Sequence, residues 1–185
     1  SGTWSGGGLS DVARGPAIDL VVNRLDARGS VIYWASLEQA IMRIPFGSDE
    51  AEEYWVDPGG ECVGCHVMNE ARDTMVVTHS GWNGVFSVID VETFEEPERL
   101  YKSDDADRFT FSSIHPDGEI IAGAGNGVLY LYDVDSGELL QTVDTEHPVS
   151  MPDWSPSGDA LLLVHMRGEV RNDATFARGE IAEYP

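Results

Sequence analysis

Short apolar runs separated by turn-forming residues recur along this chain. Four segments share a turn followed by an apolar run: "DARGSVIYWAS", "NEARDTMVVTHS", "HPDGEIIAGAG" and "SPSGDALLLVHM". Superposing them places Gly29, Arg72, Gly118 and Gly158 in one column, at spacings of 43, 46 and 40 residues. Apolar runs of about five to eight residues between Gly, Asp, Asn and Pro turns are typical of β-strands.

Each repeat contains further strand-like runs. A second run reads "AIMRIPFG", "GVFSVIDVET", "GVLYLYDVDSG" and, after an insertion, "GEIAEYP"; another follows in three repeats as "EEYWVD", "ERLYKSD" and "LLQTVDT". A period of about 40–45 residues with four strands is typical of a propeller blade. One blade cannot bury both faces of its sheet, so blades pack on their neighbours around an axis. The sequence therefore predicts an all-β fold, a β-propeller of four-stranded blades with about four repeats visible.

The repeats also predict the organisation of the chain. Blades are expected over approximately residues 17–58, 59–105, 106–147 and 148–185, after an N-terminal extension or closing strand over 1–16. The fourth repeat stops at its third strand. In one interpretation the N-terminal "GTWSG" supplies the missing strand. In the other, which we favour, the chain is a piece of a larger propeller and the visible propeller is incomplete.

Two of the repeats resemble a known family. "IHPDGEIIAGA" and "WSPSGDALLLV" resemble the repeats of bacterial TolB-like propellers of the WD type, whose consensus is close to W-S-P-D-G followed by an apolar strand. The resemblance extends from about Ala17 to Pro185. It implies the fold and says almost nothing about function.

The charge of the chain excludes some partners. Thirty-three acidic residues face eleven basic ones, which gives a net charge of −22. A surface this acidic repels nucleic-acid phosphates and anionic lipid, so we expect no nucleic-acid binding. No stretch approaches the roughly 18 apolar residues of a membrane span, so no membrane insertion is expected. The charge serves either solubility or the attraction of a basic partner.

Both cysteines lie in "GGECVGCHVMNEARD", where C-x-x-C-H is the attachment sequence of c-type haem. In this interpretation Cys62 and Cys65 form thioethers with the two vinyl groups, and His66 is the proximal ligand of the iron. The sequence therefore predicts covalent haem c, with His66 as the metal ligand.

Three other interpretations of the cysteine pair stay open. Cys62 and Cys65 could close a disulfide in an oxidising compartment. They could form a redox-active C-x-x-C pair, although the expected βαβ context is missing. They could supply half of a zinc site, although no second Cys or His pair lies at metal-binding spacing.

The sixth ligand of such a haem is less defined by the sequence. The candidates are Met68, Met75, His79, His115, His147, His165 and Met166. Met75 shares a column with Ile121 and Leu161, which predicts a core residue. We favour His79, at the end of the next strand, as the distal ligand, and an open or water-bound iron is the alternative. His79 and its neighbour Ser80 would point to opposite faces of a strand, and no G-x-S-x-G motif exists, so hydrolase chemistry is not predicted.

The motif also resembles a set of bacterial TolB-like propellers in which C-x-G-C-H replaces W-S-P at the start of a blade. That resemblance implies a haem at the rim or between two blades. The predicted function is a redox role, in electron transfer or in redox or gas sensing, with a basic redox partner and a periplasmic or extracellular location. The alternative is a non-catalytic scaffold that binds a protein or glycan, with Cys62 and Cys65 in a disulfide.

Overall fold

The computed structural model describes residues 29–79, 85–94, 100–102 and 108–185, which form fourteen β-strands in four antiparallel sheets. Sheet one contains β1 (Ser30–Ala35), β2 (Ala40–Pro45) and β3 (Glu52–Trp55). Sheet two contains β4 (Cys65–Met68), β5 (Thr74–His79), β6 (Val85–Asp90) and β7 (Leu100–Lys102). Sheet three contains β8 (Phe111–Ile114), β9 (Ile120–Gly125), β10 (Val128–Asp133) and β11 (Leu139–Val143). Sheet four contains β12 (Val149–Trp154), β13 (Leu161–Asn172) and β14 (Thr175–Tyr184).

The four sheets are arranged as blades of a β-propeller. In every sheet the strands lie side by side in chain order. The first strands of sheets two, three and four contact one another, β4 with β8 and β8 with β12, which places them innermost. The prediction of an all-β propeller is therefore confirmed, and the described blades do not close into a ring. The predicted N-terminal strand over 1–16 lies outside the described residues, as do residues 17–28.

The turns that precede β1, β5, β9 and β13 explain the column of glycines. Gly29, Gly118 and Gly158 have φ angles of +105°, +83° and +75°, and Arg72 occupies the same place with φ +64°. Positive φ is readily adopted by glycine and costs other residues roughly 1 kcal/mol or more. The turn geometry is therefore common to all four repeats, although one of them lacks the glycine.

The core consists of layers between neighbouring blades. Because successive residues of a strand point to opposite faces, β5 contributes to two layers. Met75 and Val77 lie in the cluster shared with sheet one, and Val76 lies in the cluster shared with sheet three. Trp34 and Trp55 pack in the first of these layers.

The last blade differs from the others by its long second and third strands. β13 and β14 have twelve and ten residues, against six in β5 and β9. Residues 167–179, here called the long hairpin, extend this strand pair beyond the sheet and include the insertion seen in the sequence. Within the described part of the chain, no helix is long and apolar enough to cross a membrane.

Candidate functional site

The C-x-x-C-H segment lies where the chain passes from sheet one to sheet two. The loop over residues 56–64 leaves β3, and β4 begins at Cys65. Asp57 shapes this loop, since its Oδ2 accepts from the Glu61 amide at 2.8 Å and its carbonyl from the Gly60 amide at 2.8 Å. The loop thereby delivers Cys62 and Cys65 to the innermost strand of blade two.

The two residues between the cysteines are held against sheet one. Val63 is fully buried in the layer between sheets one and two. Gly64 packs closely against the indole of Trp34, where an added Cβ would lie 3.3 Å from Trp34 Cδ1. The segment is therefore part of the interface between the first two blades.

Both cysteines are free, half-buried thiols. Burial raises the pKa of the Cys65 thiol; a hydrogen bond with Thr78 acts in the opposite direction, and the Cys62 thiol adds to the increase. The two thiols are three residues apart in the chain. Two neighbouring thiols can be joined by a disulfide or attached to one porphyrin.

His66 is half-buried and presents an unsatisfied nitrogen. Its Nδ1 is buried and has no hydrogen-bond partner among the described residues. Burial lowers the pKa of His66, and the backbone of Gly64 partly opposes that decrease. The contact with Gly64 does not have the geometry of a hydrogen bond at Nδ1. The imidazole is therefore neutral near pH 7, which is the form that ligates metals.

The side chains of Cys65 and His66 point to opposite faces of sheet two. Cys65 pairs with Thr78 and His66 with Val77 in an antiparallel register. Alternation along β4 puts Cys65 on the face of Val67, which packs towards sheet three, and His66 on the face that packs towards sheet one. The extended backbone thus separates the second thiol from the imidazole.

The donor set fits a covalently attached haem in its chemistry. Two free thiols three residues apart and a neutral imidazole with an unpartnered nitrogen are the groups that attachment and iron ligation require. The step from Cys65 to His66 would have to leave the extended conformation to present both groups to one porphyrin. Because Cys65 is the first residue of β4, this change is confined to a strand end.

His79, the predicted distal ligand, is buried in a hydrogen-bonded array. Its side chain is 4% exposed; Nε2 lies 2.7 Å from Ser87 Oγ, and Nδ1 lies 3.4 Å from Asp57 Oδ1 and 3.9 Å from Glu61 Oε2. Both ring nitrogens thus have partners, and a bond to iron would require His79 to lose one of them. Its role as a ligand stays a prediction.

Sequence reasoning missed Asp57 and Ser87. The order of contacts is that of a Ser–His–Asp array, yet Ser87 and Asp57 are only 8% and 6% exposed. The array therefore holds the loop over 56–64 to sheet two and does not meet solvent. A signal existed for Ser87, which is a polar residue at an inward-facing position of the apolar run "VFSVID".

The other candidates for a sixth ligand are distributed over several blades. Met75 is fully buried in the core, as its column in the repeats predicts. Met68 shares the face of His66 and packs against the same layer as Met75. His115 lies in a turn of sheet three, where its Nε2 is 3.0 Å from the Gly158 carbonyl. Of the residues that the structure describes, no group of three or more His, Cys, Asp or Glu could hold a metal ion by itself.

Comparisons with known proteins agree on the fold. No protein-family model and no curated protein matches the sequence. Among solved structures, hydrazine synthase from Kuenenia stuttgartiensis is similar with a TM-score of 0.54 and 17% identity, over 74% of this chain and 40% of that chain. A chain of a mitotic checkpoint complex is similar with a TM-score of 0.54 and 16% identity, over 87% of this chain and 56% of that chain. This chain is thus similar to β-propeller proteins and spans about half the length, or less, of the matched chains.

Proposed function

We propose that this chain is a β-propeller that carries covalent haem c and has a redox role outside the cytoplasm. The observation that supports the proposal best is the motif itself: both thiols are free, and the adjacent imidazole is neutral with an unpartnered nitrogen. Cys62 and Cys65 would hold the porphyrin, and His66 would ligate the iron. Bound haem supplies one-electron transfer or, with an open sixth position, binding of small ligands.

The protein's own residues would determine how such a group is exposed. Val63 and Gly64 hold the backbone between the two cysteines against sheet one. The thiols can therefore move only if the start of β4 moves with them. The acidic surface, with a net charge of −22, would attract a basic redox partner at a rate that decreases with salt. A periplasmic or extracellular location follows from the proposal, because haem c is attached on the outer side of the bacterial cytoplasmic membrane.

A second function is favoured by a different observation. In the extended strand, Cys65 and His66 point to opposite faces of the sheet. A disulfide between Cys62 and Cys65 leaves the position of His66 in this arrangement unchanged. In that case the protein is a non-catalytic scaffold for a protein or glycan partner. Propellers commonly serve as such scaffolds, which is an analogy at the level of the fold.

Intact mass and a pyridine haemochrome spectrum distinguish the two functions. The protein would be purified from a host competent for cytochrome c maturation, beside the double variant Cys62→Ser/Cys65→Ser. An increase of about 616 Da with a Soret band in the wild type alone supports haem attachment. A mass two hydrogens below the reduced chain, without a Soret band, contradicts it and supports the disulfide scaffold.

A second pair of variants tests the iron ligand. His66→Ala is expected to keep the added mass and to change the absorption spectrum, because the thioethers remain while the proximal ligand is lost. Gln141→Ala, at an exposed position of β11 on the edge of sheet three, is the control and should leave the spectrum unchanged. Equal spectra for His66→Ala and the wild type would contradict the assignment of His66.

A further inference from the structure

A cavity lies between sheet three and the long hairpin, far along the chain from the C-x-x-C-H segment. Its volume is about 670 Å³, within the roughly 300–1,000 Å³ usual for small-molecule sites. The first residues of blade three, the turn between β9 and β10, and the long hairpin form its walls. Here it is called the hairpin cavity.

Asp173, at the tip of the long hairpin, fixes the walls of the hairpin cavity. Its Oδ2 accepts from Thr110 Oγ1 and from the Asn126 amide, both at 3.1 Å, and its Oδ1 accepts from the Gly127 amide at 3.2 Å. The hydroxyl of Ser150 donates to the Asp173 carbonyl at 2.7 Å. Four hydrogen bonds thus tie the hairpin to blade three and to β12, so contacts within the protein hold the walls of the cavity.

Two arginines line the hairpin cavity of an otherwise acidic protein. Arg108 and Arg171 both line it, and they are two of only eleven basic residues beside thirty-three acidic ones. Among the lining residues that the structure describes, Asp173 is the only acid, and its carboxylate already accepts the three hydrogen bonds given above. Arg171 also contacts Glu169 at 3.1 Å, but both side chains are largely exposed, and an exposed pair of this kind is weak.

The remaining walls of the hairpin cavity indicate which kind of ligand body it would hold. Pro148, Met166 and Val170 contribute an apolar surface to the same cavity. Guanidinium groups bind carboxylates through two parallel hydrogen bonds, and an apolar wall accommodates a hydrocarbon body. The surrounding negative charge repels anions that have no such local site.

We propose that the hairpin cavity binds a small organic monocarboxylate, with its carboxylate at Arg171 and its apolar body against Met166 and Val170. The site is independent of the cysteine motif and of any haem. It exists only because the insertion in the fourth repeat lengthens β13 and β14 over blade three.

Isothermal titration calorimetry with benzoate and hexanoate tests the proposal. The uncharged amides of the two acids are the ligand controls. Arg171→Gln removes the proposed partner, and Arg178→Gln is the matched control, since it removes an equal charge from the same hairpin outside the cavity lining. Both positions are exposed, so both variants are expected to fold, which circular dichroism verifies.

The expected result is saturable binding of at least one carboxylate at millimolar concentrations, and no binding of its amide. Arg171→Gln should weaken this binding about tenfold or more, because a charged hydrogen bond is lost, and Arg178→Gln should change it less than about twofold. The proposal is overturned if neither carboxylate binds, if the amides bind equally well, or if the two variants weaken binding to the same extent. Stronger binding of inorganic phosphate than of both acids would also overturn it.

Discussion

Replacing Asp173 with alanine tests whether one buried carboxylate holds the long hairpin on blade three. The residue is 6% exposed, and its carboxylate accepts hydrogen bonds from Thr110, Asn126 and Gly127. Alanine removes all three acceptor contacts at once. The substitution therefore measures the attachment of the hairpin to its neighbouring blade.

The expected loss of stability follows from the burial of the three donors. A hydrogen bond to a charged group contributes about 1.5–3 kcal/mol net, and a buried donor left without a partner costs about 1–3 kcal/mol. Thr110 is 6% exposed and cannot turn to water, whereas Asn126 is exposed and can. The full cost at Thr110 and a partial cost at the two amides amount to about 3 kcal/mol, out of the 5–15 kcal/mol typical of a domain.

Equilibrium unfolding in guanidinium chloride, followed by tryptophan fluorescence, measures this loss. Asp173→Ala should lower the free energy of unfolding by about 3 kcal/mol, and Asp173→Asn by less, because an amide oxygen still accepts one bond. Asp49→Ala, at an exposed position, is the matched control and should change it by no more than about 0.5 kcal/mol. A loss below about 1 kcal/mol for Asp173→Ala would refute the reasoning, since it would mean that water replaces the carboxylate at all three donors.

Three further outcomes are expected. Gly123→Ala should destabilise the protein by about 1–3 kcal/mol in the same assay, because the new Cβ would lie 2.5 Å from the Phe109 ring; an unchanged midpoint would show that this ring can move. Burial raises the pKa of Cys65, so in the reduced, haem-free protein its alkylation by iodoacetamide should reach half its maximal rate at a higher pH than that of glutathione, and a lower pH would contradict this. Hydrogen bonds, foremost that from Ser157, lower the pKa of Asp159. The stability that this carboxylate provides is present above its unfolded pKa and is lost as the pH falls through the lower folded pKa, so below about pH 4 the wild type should lose more stability than Asp159→Asn; parallel losses would contradict the assignment.

The turns and strands of the blades could be predicted from the sequence because the repeat supplies several examples of one local structure. The column of Gly29, Arg72, Gly118 and Gly158 predicted a shared turn, and all four residues have positive φ. Arg72 has the positive φ of this turn although it is not a glycine, so the alignment of the repeats predicted a conformation that the residue type alone does not. Once the blades are known, the layers of the core follow from alternation along each strand.

The geometry of the cysteine motif was not predicted, although the principle needed for it was available. The argument that separates His79 from Ser80 on a strand applies equally to Cys65 and His66. It could be used only once β4 was known to begin at Cys65, and the boundaries of short strands are the part of a sequence-based prediction that is least defined.

Contacts between distant segments could not be predicted from the sequence. Asp57 and His79 come from different blades, and Asp173 meets Thr110 across 63 residues. Such pairs depend on how blades pack, and local patterns carry no information about them. The insertion in the fourth repeat was visible as a break in the pattern, whereas the cavity that it encloses was not.

At the start of β4 the local fold and the chemistry expected of the cysteine motif disagree. In natural sequences, local propensity, turn chemistry and packing usually favour the same structure, and departures from this agreement are expected at functional positions. None of Cys62, Cys65 and His66 belongs to the three buried clusters that hold the blades together. A change confined to the Cys65–His66 step leaves Val63 and the core in place, and strand ends open at little cost in free energy. The propeller is accordingly expected to form with or without haem, so the choice between a redox protein and a scaffold depends on what is attached to the two thiols and not on the fold.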